Sequence, residues 1–146
     1  MIIVKSLIFI MFFEFLVITS KCQKVKLVDY KCDKCKIEYI NQIRNKPESA
    51  SYESVLNFLC TFDENCINNA EFSEYSNETL FLILSIKPNV VIEIFDKYVL
   101  STEYILKNIK NPVDDSINIE KIILEVEKVK TKSQSKLKIL NALKRK

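Results

Sequence analysis

Residues 76–100 read SNETLFLILSIKPNVVIEIFDKYVL, and the fold turns on their unbroken apolar run at 80–84. Such a run suits a buried strand as well as a helix, and periodicity alone does not separate the two. The flanks favour a helix. Ser76 is a natural N-cap, and Lys87-Pro88 ends the segment while placing proline in the first turn of the next one. There Val91, Ile94, Phe95, Tyr98 and Val99 recur at helical spacing. Moving outward, the same three-four spacing returns. Tyr52, Val55, Leu56 and Leu59 form one face, entered near Pro47. Ile105, Leu106 and Ile109 follow a cap at Ser101 or Thr102 and stop at Asn111-Pro112. Ile119, Ile122, Ile123 and Val126 form another face, and Leu137, Leu140 and Leu143 a last one. The expectation is an all-α domain of five or six short helices, either a compact bundle or a short stack of antiparallel helix hairpins.

Composition narrows the chemistry. The chain has 146 residues, 48% of them hydrophobic, with no Gly, no His and no Trp. Without glycine, the loops that cradle phosphates in nucleotide sites are missing, since they need positive φ and close backbone approach. Without histidine, Ser-His-Asp and Cys-His catalysis and His-ligated metals are excluded. No cofactor and no metal are expected. Residues 1–20 read as an export signal: Lys5 supplies the positive start, 7–17 the apolar core, and Ser20 a cleavage position, with Glu14 an awkward interruption. The domain expected to remain is 21–146, ending in a basic helix.

Five cysteines follow the signal. Cys32 and Cys35 form a CxxC; a thiol-disulfide oxidoreductase using that pair is the alternative functional reading, although the βαβ context of such enzymes is absent. A zinc site from Cys32, Cys35, Cys60 and Cys66 would have an over-long second spacing. Structural disulfides suit an exported small domain better. The pairing expected joins the Cys32/Cys35 region to Cys60/Cys66, with the individual partners left open. Cys22 is the odd one out. It stands where bacterial lipoproteins carry their acylated cysteine, which makes it the candidate lipidation site, but Lys21 occupies a position where that pattern has a small residue.

Charge is sharply partitioned beneath a net +3. Residues 47–86 hold Glu48, Glu53, Asp63, Glu64, Glu71, Glu74 and Glu78 and no basic residue. Residues 128–146 hold Lys128, Lys130, Lys132, Lys136, Lys138, Lys144, Arg145 and Lys146 and no acid. The stretch FDENCINNAEFSEYSNE (62–78) reads as a solvated acidic loop with Phe62, Phe72 and Tyr75 turned inward. It lacks the ligand spacing and glycine of a calcium loop. It is a candidate docking face for a basic partner, or for the chain's own basic end. Asp63, Glu64, Glu71, Glu74 and Glu78 on one side, and Lys136, Lys138, Lys144 and Arg145 on the other, are the candidate partner-binding residues. A basic amphipathic end also suits a membrane surface, as Cys22 would if acylated. Nucleic acid is not an expected partner, because no aromatics interleave the lysines. Asn77-Glu78-Thr79 is a glycosylation sequon of a kind that chance readily produces in this composition.

The segment FLCTFDENCINNAEFSEYSNETLFLILSIKPNV (58–90) resembles small uncharacterised exported α-helical proteins of bacteria, and the element lengths resemble HEAT-like or tetratricopeptide-like helix hairpins. The resemblance implies an exported helical protein and no activity. The functional expectation is therefore an exported, non-enzymatic interaction or scaffold module, held by disulfides and binding an unidentified protein.

Overall fold

The computed structural model describes residues 26–144. The expected signal at 1–20, Cys22 and Arg145 lie outside the described residues. Seven helices are present among these: α1 (Ile37–Asn45), α2 (Tyr52–Cys60), α3 (Ala70–Ile86), α4 (Pro88–Lys97), α5 (Thr102–Lys110), α6 (Ile119–Lys128) and α7 (Gln134–Lys144), with single 3-10 turns at Pro47–Ser49 and Glu64–Asn68. The all-α expectation holds, with a helix more than expected. The additional element is α1, a mostly polar helix with Ile40 and Ile43 fully buried on one side.

The deciding segment is helical, and the helix begins earlier than the Ser76 cap would place it. Asn69, not Ser76, caps α3: its side-chain oxygen accepts from the Phe72 backbone N–H at 3.0 Å. Ser76 lies buried within the helix and donates to the Ser73 carbonyl at 3.1 Å. Burial of Phe72 explains the earlier start, because it gives the first turn an apolar anchor worth about 1.5–3 kcal/mol. The acidic 70–78 stretch is thereby helix and not loop. The apolar run at 80–84 extends this helix, and Lys87-Pro88 ends it as expected.

α3 sits at the centre, in contact with α1, α4, α5 and α6, while α7 closes the far side against α4, α5 and α6. Contacts between helices distant in sequence, α3 with α6 and α4 with α7, make this a bundle around one helix and not an open stack of hairpins. The core is one continuous cluster in which Phe58, Phe62, Phe72 and Phe81 are the largest of the fully buried side chains. The ring of Phe58 meets Phe62 edge to face at 5.4 Å.

The expected faces of α2, α5 and α6 are the buried ones. That of α7 is rotated: Ser135, Ile139, Ala142 and Leu143 face inward and Leu137 is 51% exposed. The i, i+4 pair Ile139/Leu143 wins over the i, i+3 leucine series because α4, α5 and α6 cover that side. At the end of α4 the chain leaves the helix at Tyr98, so Val99 belongs to no helical stripe. Here an N-terminal strand-like segment docks. Val28 N–H donates to the Lys97 carbonyl at 2.7 Å, and the Val28 carbonyl accepts from Val99 N–H at 3.0 Å.

Tyr30, Tyr52 and Tyr98 gather beneath that contact. Tyr30 donates to Asn57 Oδ1 at 2.8 Å and meets the Tyr98 ring edge-on at 5.7 Å. The Tyr52 hydroxyl is buried without a hydrogen-bond partner among the described residues. Burial, with the nearby Glu93 carboxylate, pushes its pKa from 10.0 up to about 12. The folded state thus holds this proton more tightly than the unfolded chain. Stability is unaffected below pH 10 and is lost as pH rises from 10 towards 12. A tyrosinate absorbance titration should show Tyr52 ionising last, together with unfolding, and Tyr52→Phe should delay alkaline unfolding. An unchanged alkaline midpoint in that variant would contradict the assignment.

Candidate functional site

The cysteines form two staggered bridges, Cys32–Cys60 and Cys35–Cys66, with Cα separations of 5.2 and 5.5 Å. The CxxC thus joins the end of α2 at one position and the following 3-10 turn at the other. This is one of the cross-pairings left open by the sequence. Cys32 and Cys35 are each bonded elsewhere, so the CxxC is not itself a disulfide unit. Local hydrogen bonds fix the clamp: Thr61 accepts from Cys35 N–H through its carbonyl at 3.0 Å and from Lys36 N–H through its hydroxyl at 2.6 Å. Cys35 adopts φ +57°, a left-handed turn conformation that in other chains falls to glycine. With no glycine available, the bridge and the Thr61 bond hold a cysteine there.

The acidic residues divide into two places. Asp63 caps the second 3-10 turn, accepting from the Asn65 N–H at 3.0 Å, and lies 4.0 Å from Lys34. Together with exposed Glu64 it faces the chain at 100–104, across a depression that also contains Glu103. Glu71, Glu74 and Glu78 instead share α3. At 100° per residue they fall with Tyr75, Leu82 and Ser85 inside about a 100° arc, on the side opposite Phe72, Leu80 and Ile83. Glu71 and Glu74 are exposed and make no ion pair among the described residues. Glu78 accepts from Arg44 Nη1 at 2.6 Å, and the Arg44 guanidinium stacks 4.5 Å from the Tyr75 ring centre.

Beyond Glu78 the stripe enters an open cleft of about 480 Å³ between α3 and the start of α6. Phe81, Leu82, Ile117 and Ile122 supply apolar surface. Arg44 and Glu78 stand on one side, Asp114 and Lys121 on the other. Asp114 is held below its ordinary pKa by the Ser116 backbone N–H and hydroxyl, both 2.8 Å away. Thr79 also borders the cleft, and its buried hydroxyl lacks a hydrogen-bond partner among the described residues.

The basic helix is largely occupied within the molecule. Lys136 donates to the Glu127 and Val129 carbonyls at 2.9 and 2.6 Å, capping the end of α6 where a cation complements the helix dipole. Lys144 pairs with Glu127 at 2.8 Å and Lys138 approaches Glu103 at 3.8 Å. Among the described residues, none of these lysines reaches a carboxylate of 47–86. The basic end therefore does not cover the acidic stripe there. No helix of the described residues is long and apolar enough to cross a membrane, and no three metal-ligating side chains converge among them.

Asn77 has a structural role that sequence reasoning missed. It is 2% exposed; its amide donates to the Asn108 and Asn111 carbonyls, and its oxygen accepts from Val113 N–H, each at 3.1 Å. It thereby ties the end of α5 to α3. The sequon is closed to a glycosyltransferase once the chain has folded. Arg44, Asp114 and Lys121 were also missed; they come from a helix, a loop and another helix, with no common motif. No family model, curated protein or solved structure matches the chain.

Proposed function

We propose that this is an exported, non-enzymatic interaction module, a disulfide-stapled helical bundle that binds a basic protein surface through the acidic side of α3. The observation that carries this reading is the contrast in charge use. Lys136, Lys138 and Lys144 are engaged within the fold, whereas Glu71 and Glu74 are exposed and make no ion pair among the described residues. Carboxylates presented on a rigid helix steer a cationic partner and fix its orientation. The two disulfides fit an oxidising compartment. Acylation of Cys22, where it occurs, would add a membrane tether; the bundle itself contributes the recognition surface.

The expected behaviour is electrostatic. A lysine-rich peptide should bind the oxidised protein at low ionic strength and lose affinity as salt screens the contact. Replacing Glu71 and Glu74 together by Gln should weaken that binding by about tenfold, read by fluorescence anisotropy. Binding that persists in high salt and in the double variant would refute the reading.

A further inference from the structure

We infer that the partner segment is a cationic amphipathic helix, lying along α3 with its basic half over Glu71 and Glu74 and its apolar half in the cleft beside Leu82. This rests on the reading above and specifies the partner's shape. The argument is one of continuity. Glu71, Glu74, Glu78, Leu82 and Ser85 lie on one side of a single helix, so acidic and apolar surfaces run end to end over roughly 20 Å at 1.5 Å per residue. That length matches about fourteen residues of a second helix, whose anchors at i, i+3 or i+4 and i+7 would meet the same periodicity.

Charge distribution chooses the occupant. Arg44 is paired with Glu78, and Lys121 and Asp114 both line the cleft, so the apolar surface of Phe81, Leu82, Ile117 and Ile122 is bordered by two basic and two acidic side chains. At the α3 N-terminal half the carboxylates of Glu71 and Glu74 have no such counterpart among the described residues. An uncharged helix would leave them without gain, and an anionic one would be repelled. A helix with lysines at one end and leucines at the other satisfies both halves. Binding to the acidic half alone would be weak, because exposed charge pairs contribute little; desolvation of the apolar half supplies the remainder.

The test uses two peptides of identical composition: one, the amphipathic peptide, carries its lysines in one half and a leucine face at i, i+3 or i+4 and i+7 in the other, and one is scrambled. Their affinities for the oxidised chain are compared by anisotropy. The amphipathic peptide should bind at least about tenfold tighter, and Leu82→Gln should remove that margin while leaving the scrambled peptide's weaker binding unchanged. Should Leu82→Gln alter the helical circular dichroism, Ser85→Gln, which puts a bulkier polar side chain into the cleft without adding charge, carries the same expectation. Glu71→Gln with Glu74→Gln should weaken both peptides. Equal affinities, or a margin that survives both cleft variants, would overturn the inference and leave the acidic-surface reading standing. Indifference of both peptides to the glutamate changes would overturn both. Tighter binding of a glutamate-leucine amphipathic peptide, or a concentration-dependent dimer abolished by Ser85→Gln, would also overturn it, in favour of an acidic partner or a second copy.

Discussion

Reduction of the two disulfides is expected to lower the unfolding free energy by about 6 kcal/mol, enough to unfold most of the protein at physiological temperature. The Cys32–Cys60 bridge closes a loop of sequence separation 28, for which the chain-entropy relation gives about 3.6 kcal/mol. Once that bridge exists, Cys35–Cys66 closes a much shorter effective loop, through 32–35 and 60–66, and contributes about 3 kcal/mol more. The relation also orders the variants. Removing either bridge alone should cost about 3 kcal/mol, because the survivor then closes the long loop while the lost one closes only the short increment. Denaturant unfolding of oxidised, singly bridged and reduced protein checks this. A reduced chain with an unchanged unfolding midpoint would show that the bundle does not depend on its clamp.

The second large effect should come from Asn77. Replacing it by Leu keeps the branching of the amide, with somewhat greater bulk, but removes three hydrogen bonds to the backbone. The Asn108 and Asn111 carbonyls and the Val113 N–H lose their partner beside the core, at a cost of about 2–4 kcal/mol after allowing for water reaching the exposed residues 111 and 113. Asn77→Asp should be worse at neutral pH, because an ionised carboxylate then faces two carbonyl oxygens. Its deficit should shrink in acid, where the protonated carboxyl can donate to one of them. Thermal melts at neutral and acidic pH separate this from simple loss of packing, which would give a deficit independent of pH.

These two sites also mark how far the sequence could be read. The cross-pairing of the CxxC with Cys60 and Cys66 was legible because four cysteines allow only three pairings and the longer loops constrain the unfolded chain most. The faces of α2, α5 and α6 were legible because each is a strong three-four pattern between recognisable stops. α3 was harder: Asn69 and Ser76 are both competent caps, and only the packing of Phe72 decides between them. α1 was missed because Ile40 and Ile43 give a short pattern next to a conspicuous cysteine motif. Lys136 could not be distinguished from its basic neighbours, since its task depends on where α6 ends relative to α7. The cleft depended on tertiary placement alone. Arg44, Glu78, Asp114 and Lys121 acquire a common purpose only when α1, α3 and the α5–α6 connection meet.

The staggered clamp has a mechanical consequence. A pull on the N-terminal segment, opposed by a partner held on α3, first meets the pair of hydrogen bonds at Val28 and then the sulfur bridges at Cys32 and Cys35. From Cys66 only residues 67–69 intervene before α3 begins. Tension between an anchor upstream and cargo on that helix would cross this short covalent route, leaving α1 and α4 to α7 almost unloaded. The bundle could then keep its grip under forces that would peel apart helices joined by packing alone.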